Sequence, residues 1–201
     1  MTVWLDRLAR HARSIVLIVA GLLAGGALVT VLGLPGVGWP VYSLGHVGML
    51  LAVPAIGGAY RASLPQVGWL WLGMAFIGFL LGLAVVATTW GHYLRDPGLQ
   101  EVVLARQVLP IGTYAGVVAW LGMALFGLVA ISPTDVPRGG AITLLGAAIL
   151  IVAAELGLLA AYVWALAIVL AAVGLVWLAP LPLDEVVAEE RVTRPISPQA
   201  G

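Results

Sequence analysis

Cysteine is absent from this 201-residue chain, which excludes disulfides, thiolate metal sites and cysteine nucleophiles and leaves the redox compartment undetermined. Lysine is absent as well, so all nine basic residues are arginine. Charge of either sign is scarce, 9% of residues against about 25% in a soluble domain. The two signs cancel to a net charge of zero. No block of like charge stands inside the chain, so neither a nucleic-acid face nor a polybasic lipid-binding patch is indicated. GxSxG, Walker, HExxH and GxGxxG patterns are missing in any suitable context, and no Ser, His and Asp set falls together to build a nucleophilic triad. The reading therefore leans away from an enzyme.

What the chain has in excess is apolar surface. With 62% hydrophobic residues and a mean hydropathy of +1.11, it lacks the polar surface to cover itself in water, and its solvent is the lipid bilayer. A span needs roughly 20 apolar residues to cross about 30 Å of hydrocarbon. The run lengths predict an all-α, polytopic membrane helix bundle of about six transmembrane helices, forming one domain over residues 1–180. Its spans are residues 14–34, 43–60, 67–90, 110–131, 139–156 and 158–180. Before them, residues 1–13 carry arginines at three-residue spacing and read as a short surface helix. The Pro/Gly-rich residues 35–40 read as a break, Pro54 as a kink inside span two, and residues 91–109 as a polar connection holding a short interfacial helix. The last apolar stretch would make one helix of about 60 Å, so it divides near Glu155. Residues 181–201, acidic and then proline-containing, read as a disordered tail.

The arginines orient these spans. A cytoplasmic N-terminus and C-terminus put Arg7, Arg10, Arg13, Arg61, Arg138, Arg191 and Arg194 inside and only Arg95 and Arg106 outside, as the positive-inside rule requires. The location read from this is the cell (inner) membrane, multi-pass. Aromatic residues mark the boundaries: Trp39, Tyr42, Trp90, Tyr93, Tyr162 and Trp164 at the outer level, Trp4, Tyr60, Trp69, Trp71 and Trp177 at the inner, with Trp120 in mid-span.

Glycine supplies the packing signal. Gly21 and Gly25, Gly78 and Gly82, and Gly112 and Gly116 are GxxxG pairs, whose bare backbones let helices approach closely where lipid provides no hydrophobic drive. In span three, Gly78, Gly82, Val85, Thr89 and His92 follow four- and three-residue steps and share one face, which should be buried.

Polar side chains near or within spans are the candidate site residues. His46 and His92 offer neutral imidazoles, and helix-borne histidines in a dry bundle hold haem or another tetrapyrrole in many membrane proteins. Counted from the turn at Leu64, however, His92 lies ten residues farther out than His46, about 15 Å at 1.5 Å per residue. The residue level with His46 is Gly82, so the arrangement admits a single ligand facing a glycine gap and not a bis-histidine pair. The alternatives are an interfacial His92 and a structural His46 satisfied by a backbone carbonyl or by a hydroxyl such as that of Thr88. Glu155 is either an intramembrane carboxylate that handles protons or cations, or a solvated residue at a hairpin tip. Three functions stay open: a non-catalytic accessory or assembly subunit that packs against other membrane subunits, a tetrapyrrole-binding electron-transfer subunit using His46, and a small carrier or channel using Pro54, Glu155 and the outer-facing histidines.

Overall fold

In hydrocarbon every backbone N–H and C=O must find its partner within the chain, so an apolar sequence of this kind has helices as its local solution. The computed structural model describes residues 2–95 and 110–180, without the side chains of Thr2, Thr89, residues 92–95, Pro110, Ile111 and Ala161. Among the described residues the regular elements are seven helices: α1 (Thr2–Arg10), α2 (Ala12–Val31), α3 (Pro35–Ala59), α4 (Gln66–Arg95), α5 (Pro110–Ala130), α6 (Arg138–Glu155) and α7 (Ala161–Leu178). Five of them, α2 to α6, are long and apolar enough to cross a membrane, and α7 is apolar over the shorter stretch Tyr162–Leu178. The interfacial helix expected within residues 91–109 and the tail at 181–201 fall largely or wholly outside the described residues; α4 itself continues as helix to Arg95.

The second span differs from expectation. Helix α3 begins at Pro35, not at residue 43, and runs through Pro40 and Pro54. Proline at the first helical position loses nothing, because an N–H there has no intrahelical acceptor. Pro40 forgoes a single bond, to the carbonyl of Gly36 in the first turn. The chain reverses earlier, at Gly33, whose φ of +91° is the left-handed conformation that glycine tolerates. Gly33 N–H donates to Thr30 O (3.3 Å) and Leu34 N–H to Val29 O (3.1 Å), the paired bonds of a Schellman stop. The same stop ends α6: Gly157 has φ +75°, and Leu158 N–H donates to Ala153 O at 2.9 Å.

The six long helices form a closed ring in chain order. Each packs on its predecessor and its successor, and α7 returns to pack on α2. Glycine sets several of these contacts. A Cβ on Gly26 would fall on the Tyr42 backbone, one on Gly78 on the Ala119 backbone, and one on Gly174 within 2.8 Å of the Leu144 nitrogen. The interior is filled by large side chains from several helices, among them Leu23, Met49, Phe79, Trp120, Phe126, Ile151 and Ile168. At one end, the α3–α4 turn is tied to the rest by two bonds. Tyr60 Oη donates to Leu178 O at the end of α7 (2.8 Å), and Ser63 Oγ donates to Asp135 Oδ2 in the α5–α6 turn (2.8 Å). Burial pushes the Tyr60 phenol up to about 12, so it remains a neutral donor to that carbonyl. Helix α1 lies against this end, with Leu5 and Ala9 beside Gly58.

Candidate functional site

Because α3 starts at Pro35, residues 39, 42, 43 and 46 lie on one inward face of a single helix, at the i, i+3, i+4 and i+7 spacing. Trp39 and Tyr42, expected at the outer level, are buried in the core. Ser43 and His46 are the buried polar side chains of the described residues outside the aromatic ones. Periodicity would have found this face had the proline-rich stretch been read as the first turns of a helix.

The His46 ring lies against Gly82 of α4: a Cβ added there would fall on its Nε2. The depth count from Leu64 thus lands on the residue that the imidazole meets. Phe79, one turn earlier on α4, meets the imidazole edge-on at 5.1 Å between ring centres, and Trp120 of α5 meets Phe79 in the same way at 5.6 Å. On the other side Tyr42 stands 6.4 Å from His46 and 5.1 Å from Trp164 of α7. An aromatic chain therefore crosses the interior from α7 through α3 and α4 to α5. The Ser43 hydroxyl, fully buried, has no hydrogen-bond partner among the described residues.

Room beside this histidine is small. The cavity bounded by Tyr42, His46, Gly82, Gly112 and Gly116 measures about 20 Å³. One water needs roughly 10–15 Å³ by the same measure, whereas pockets for organic ligands hold roughly 300–1,000 Å³. Gly82, Gly112 and Gly116 line this space beside His46, which has room for about one water.

The remaining candidates are not gathered around His46. Thr88 is exposed and donates to Ala84 O on its own helix at 2.9 Å, so it does not serve the histidine; a threonine bonding back four residues satisfies its hydroxyl locally. His92 lies on α4 within its last turn, but its side chain and that of Thr89 are outside the described residues. Gly78, Gly82 and Val85 of the same α4 face are buried. Glu155 is the last residue of α6, half-buried beside the hairpin turn, and its Oε1 accepts from Trp164 Nε1 at 3.2 Å. Trp164 thereby joins the hairpin tip to the aromatic chain. No group of three or more metal-ligating side chains occurs among the described residues.

No protein-family model, curated protein or solved structure matches the chain.

Proposed function

We propose that this protein is a non-catalytic accessory or assembly subunit of the cell (inner) membrane, associating through the outer face of α2 with another membrane-embedded chain. The observation that carries this reading is the environment of Gly21 and Gly25. A Cβ added at either meets nothing within 4 Å among the described residues, and Leu17 and Leu28 on the same side of α2 are 43% and 47% exposed. The neighbouring Gly26 is required by the backbone of α3, whereas nothing among the described residues calls for the outward pair. A bare glycine pair on a lipid-facing helix forms a shallow groove into which a second helix packs with close van der Waals contact. The arginine distribution supports an orientation with both termini in the cytoplasm, since Arg7, Arg10, Arg13, Arg61 and Arg138 precede or join helices at one end of the ring and Arg95 closes α4 at the other.

The test is the double substitution of Gly21 and Gly25 by leucine. Association seen by chemical cross-linking and copurification from native membranes should be lost, while the melting temperature of the isolated protein stays near that of the wild type. Retention of every cross-link by the double variant refutes the assignment of this face.

A further inference from the structure

The antiparallel register of α2 and α3 continues past the bend at His11 into α1. Along it Gly45 lies against Leu23, Gly48 against Val19, and Gly58 against Ala9 and Leu5. Continued by one turn, the same register brings Arg61, in the turn after α3, level with Asp6 and Arg7 of α1. The faces of α1 are divided. Leu5, Leu8 and Ala9 are half-buried, whereas Val3, Trp4, Asp6, Arg7 and Arg10 are exposed, with residues 3, 7 and 10 at the i, i+4 and i+7 spacing of one face. Arg61 is exposed as well. No ion pair joins Arg7, Arg10 or Arg61 to another described residue. In the chain these arginines form no block; folding gathers them, with an exposed tryptophan, at one end of the ring.

We propose that this surface binds anionic phospholipid headgroups of the leaflet at that end, their phosphates on Arg7, Arg10 and Arg61 and Trp4 at the headgroup boundary. Charge complementarity selects the occupant. The described residues at this end hold Arg7, Arg10, Arg13, Arg61 and Arg138 against two carboxylates, Asp6 and Asp135. Of the two, Asp135 already accepts from Ser63 at 2.8 Å and from Thr134 at 3.2 Å. A headgroup of net negative charge is therefore drawn to this end, and a zwitterionic one has no such advantage. The guanidinium fork matches phosphate oxygens in pairs, and each basic residue close to an anionic surface favours association roughly fivefold. Trp4 is 53% exposed. A tryptophan beside arginines on a short surface helix is the composition of an interfacial anchor.

The experiment counts the lipids that the full chain retains, by native mass spectrometry after extraction from vesicles of equimolar dioleoyl phosphatidylcholine and phosphatidylglycerol. The wild type should retain phosphatidylglycerol in several-fold excess. Arg61→Gln alone and Arg7→Gln with Arg10→Gln should each lower that excess, by up to roughly fivefold per arginine, and the triple variant should lose most of it. Because the three side chains are exposed, the melting temperatures of these variants should stay near that of the wild type. Arg95→Gln, at the other end of the ring, should leave the excess unchanged. Equal retention of the two lipids by the wild type, the result expected if Asp184, Glu185, Glu189 and Glu190 neutralise these arginines instead, overturns the proposal. An excess undiminished in the triple variant overturns it as well.

Discussion

Gly21–Gly25 and Gly78–Gly82 have the same spacing, lie in equally apolar runs and are both carried on long helices, yet the fold treats them oppositely. At Gly78 the α5 backbone passes so close that a Cβ would fall on Ala119, and at Gly82 the His46 ring occupies the place of the missing side chain. Around Gly21 and Gly25 no described residue comes within 4 Å of an added Cβ. The spacing therefore records that a helix can be approached closely, and says nothing of what approaches it. In water an apolar face would have identified itself by contrast with a polar one. In lipid both faces of a span are apolar, and the contrast disappears.

The largest effect that sharpens this comparison is Gly78→Leu. Its clash is with main-chain atoms of Ala119, which cannot rotate away, so the variant should lose about 3 kcal/mol of stability or more, the upper range of overpacking costs. Gly82→Leu should be severe as well, because the atoms it displaces belong to an imidazole wedged against Phe79. Gly73→Leu, on the same helix with nothing near it, should melt close to wild type. Equal losses at Gly78 and Gly73 in detergent would break the distinction between inner and outer glycines.

Next in size is His46→Ala, which empties the space beside Gly82. The loss should be about 1–3 kcal/mol, from the buried polar group and the cavity together. The native protein should show no Soret-region band, given the 20 Å³ available. A band present in the native preparation and abolished by His46→Ala would show that the α3–α4 contact opens around a ring in the membrane.

The smallest effects come from two hydroxyls and should have opposite signs. Tyr60→Phe removes the bond to Leu178 O that ties the α3–α4 turn to the end of α7 and should cost about 1 kcal/mol. Ser43→Ala removes a fully buried hydroxyl with no partner among the described residues. It should be neutral or stabilising by about 1 kcal/mol, because an unsatisfied buried donor carries its desolvation cost without return. Thermal melts of the two variants side by side settle the signs; a destabilised Ser43→Ala would mean that the hydroxyl is satisfied.

The legible part of the site followed from arithmetic along helices. Counting equal numbers of residues outward from Leu64 placed Gly82 level with His46, and the ring is there. Proline in residues 35–40 ordinarily signals a break, but Pro35 opens α3, and the helix it starts carries Trp39 and Tyr42 into the core. Depth along the helix suits Thr88 to His46, but rotation of α4 turns Thr88 outward, onto its own backbone. The hydrogen bonds from Tyr60 to Leu178 and from Ser63 to Asp135 join residues far apart in the chain and left no local signal.

What the amino-acid sequence determined by itself is the solvent and the elements. Apolar runs of sufficient length, interrupted by glycine and proline, must become helices in a membrane, because lipid gives unpaired peptide groups no alternative. Closure of the ring by α7 on α2, the burial of Tyr42 against Trp164 and the division of the glycine pairs into inner and outer were decided only by tertiary structure. Those outcomes depend on rotation of each helix about its own axis. In hydrocarbon that rotation is chosen by shape and van der Waals contact with neighbours, to which a run of leucine, valine, alanine and glycine offers no one-dimensional clue.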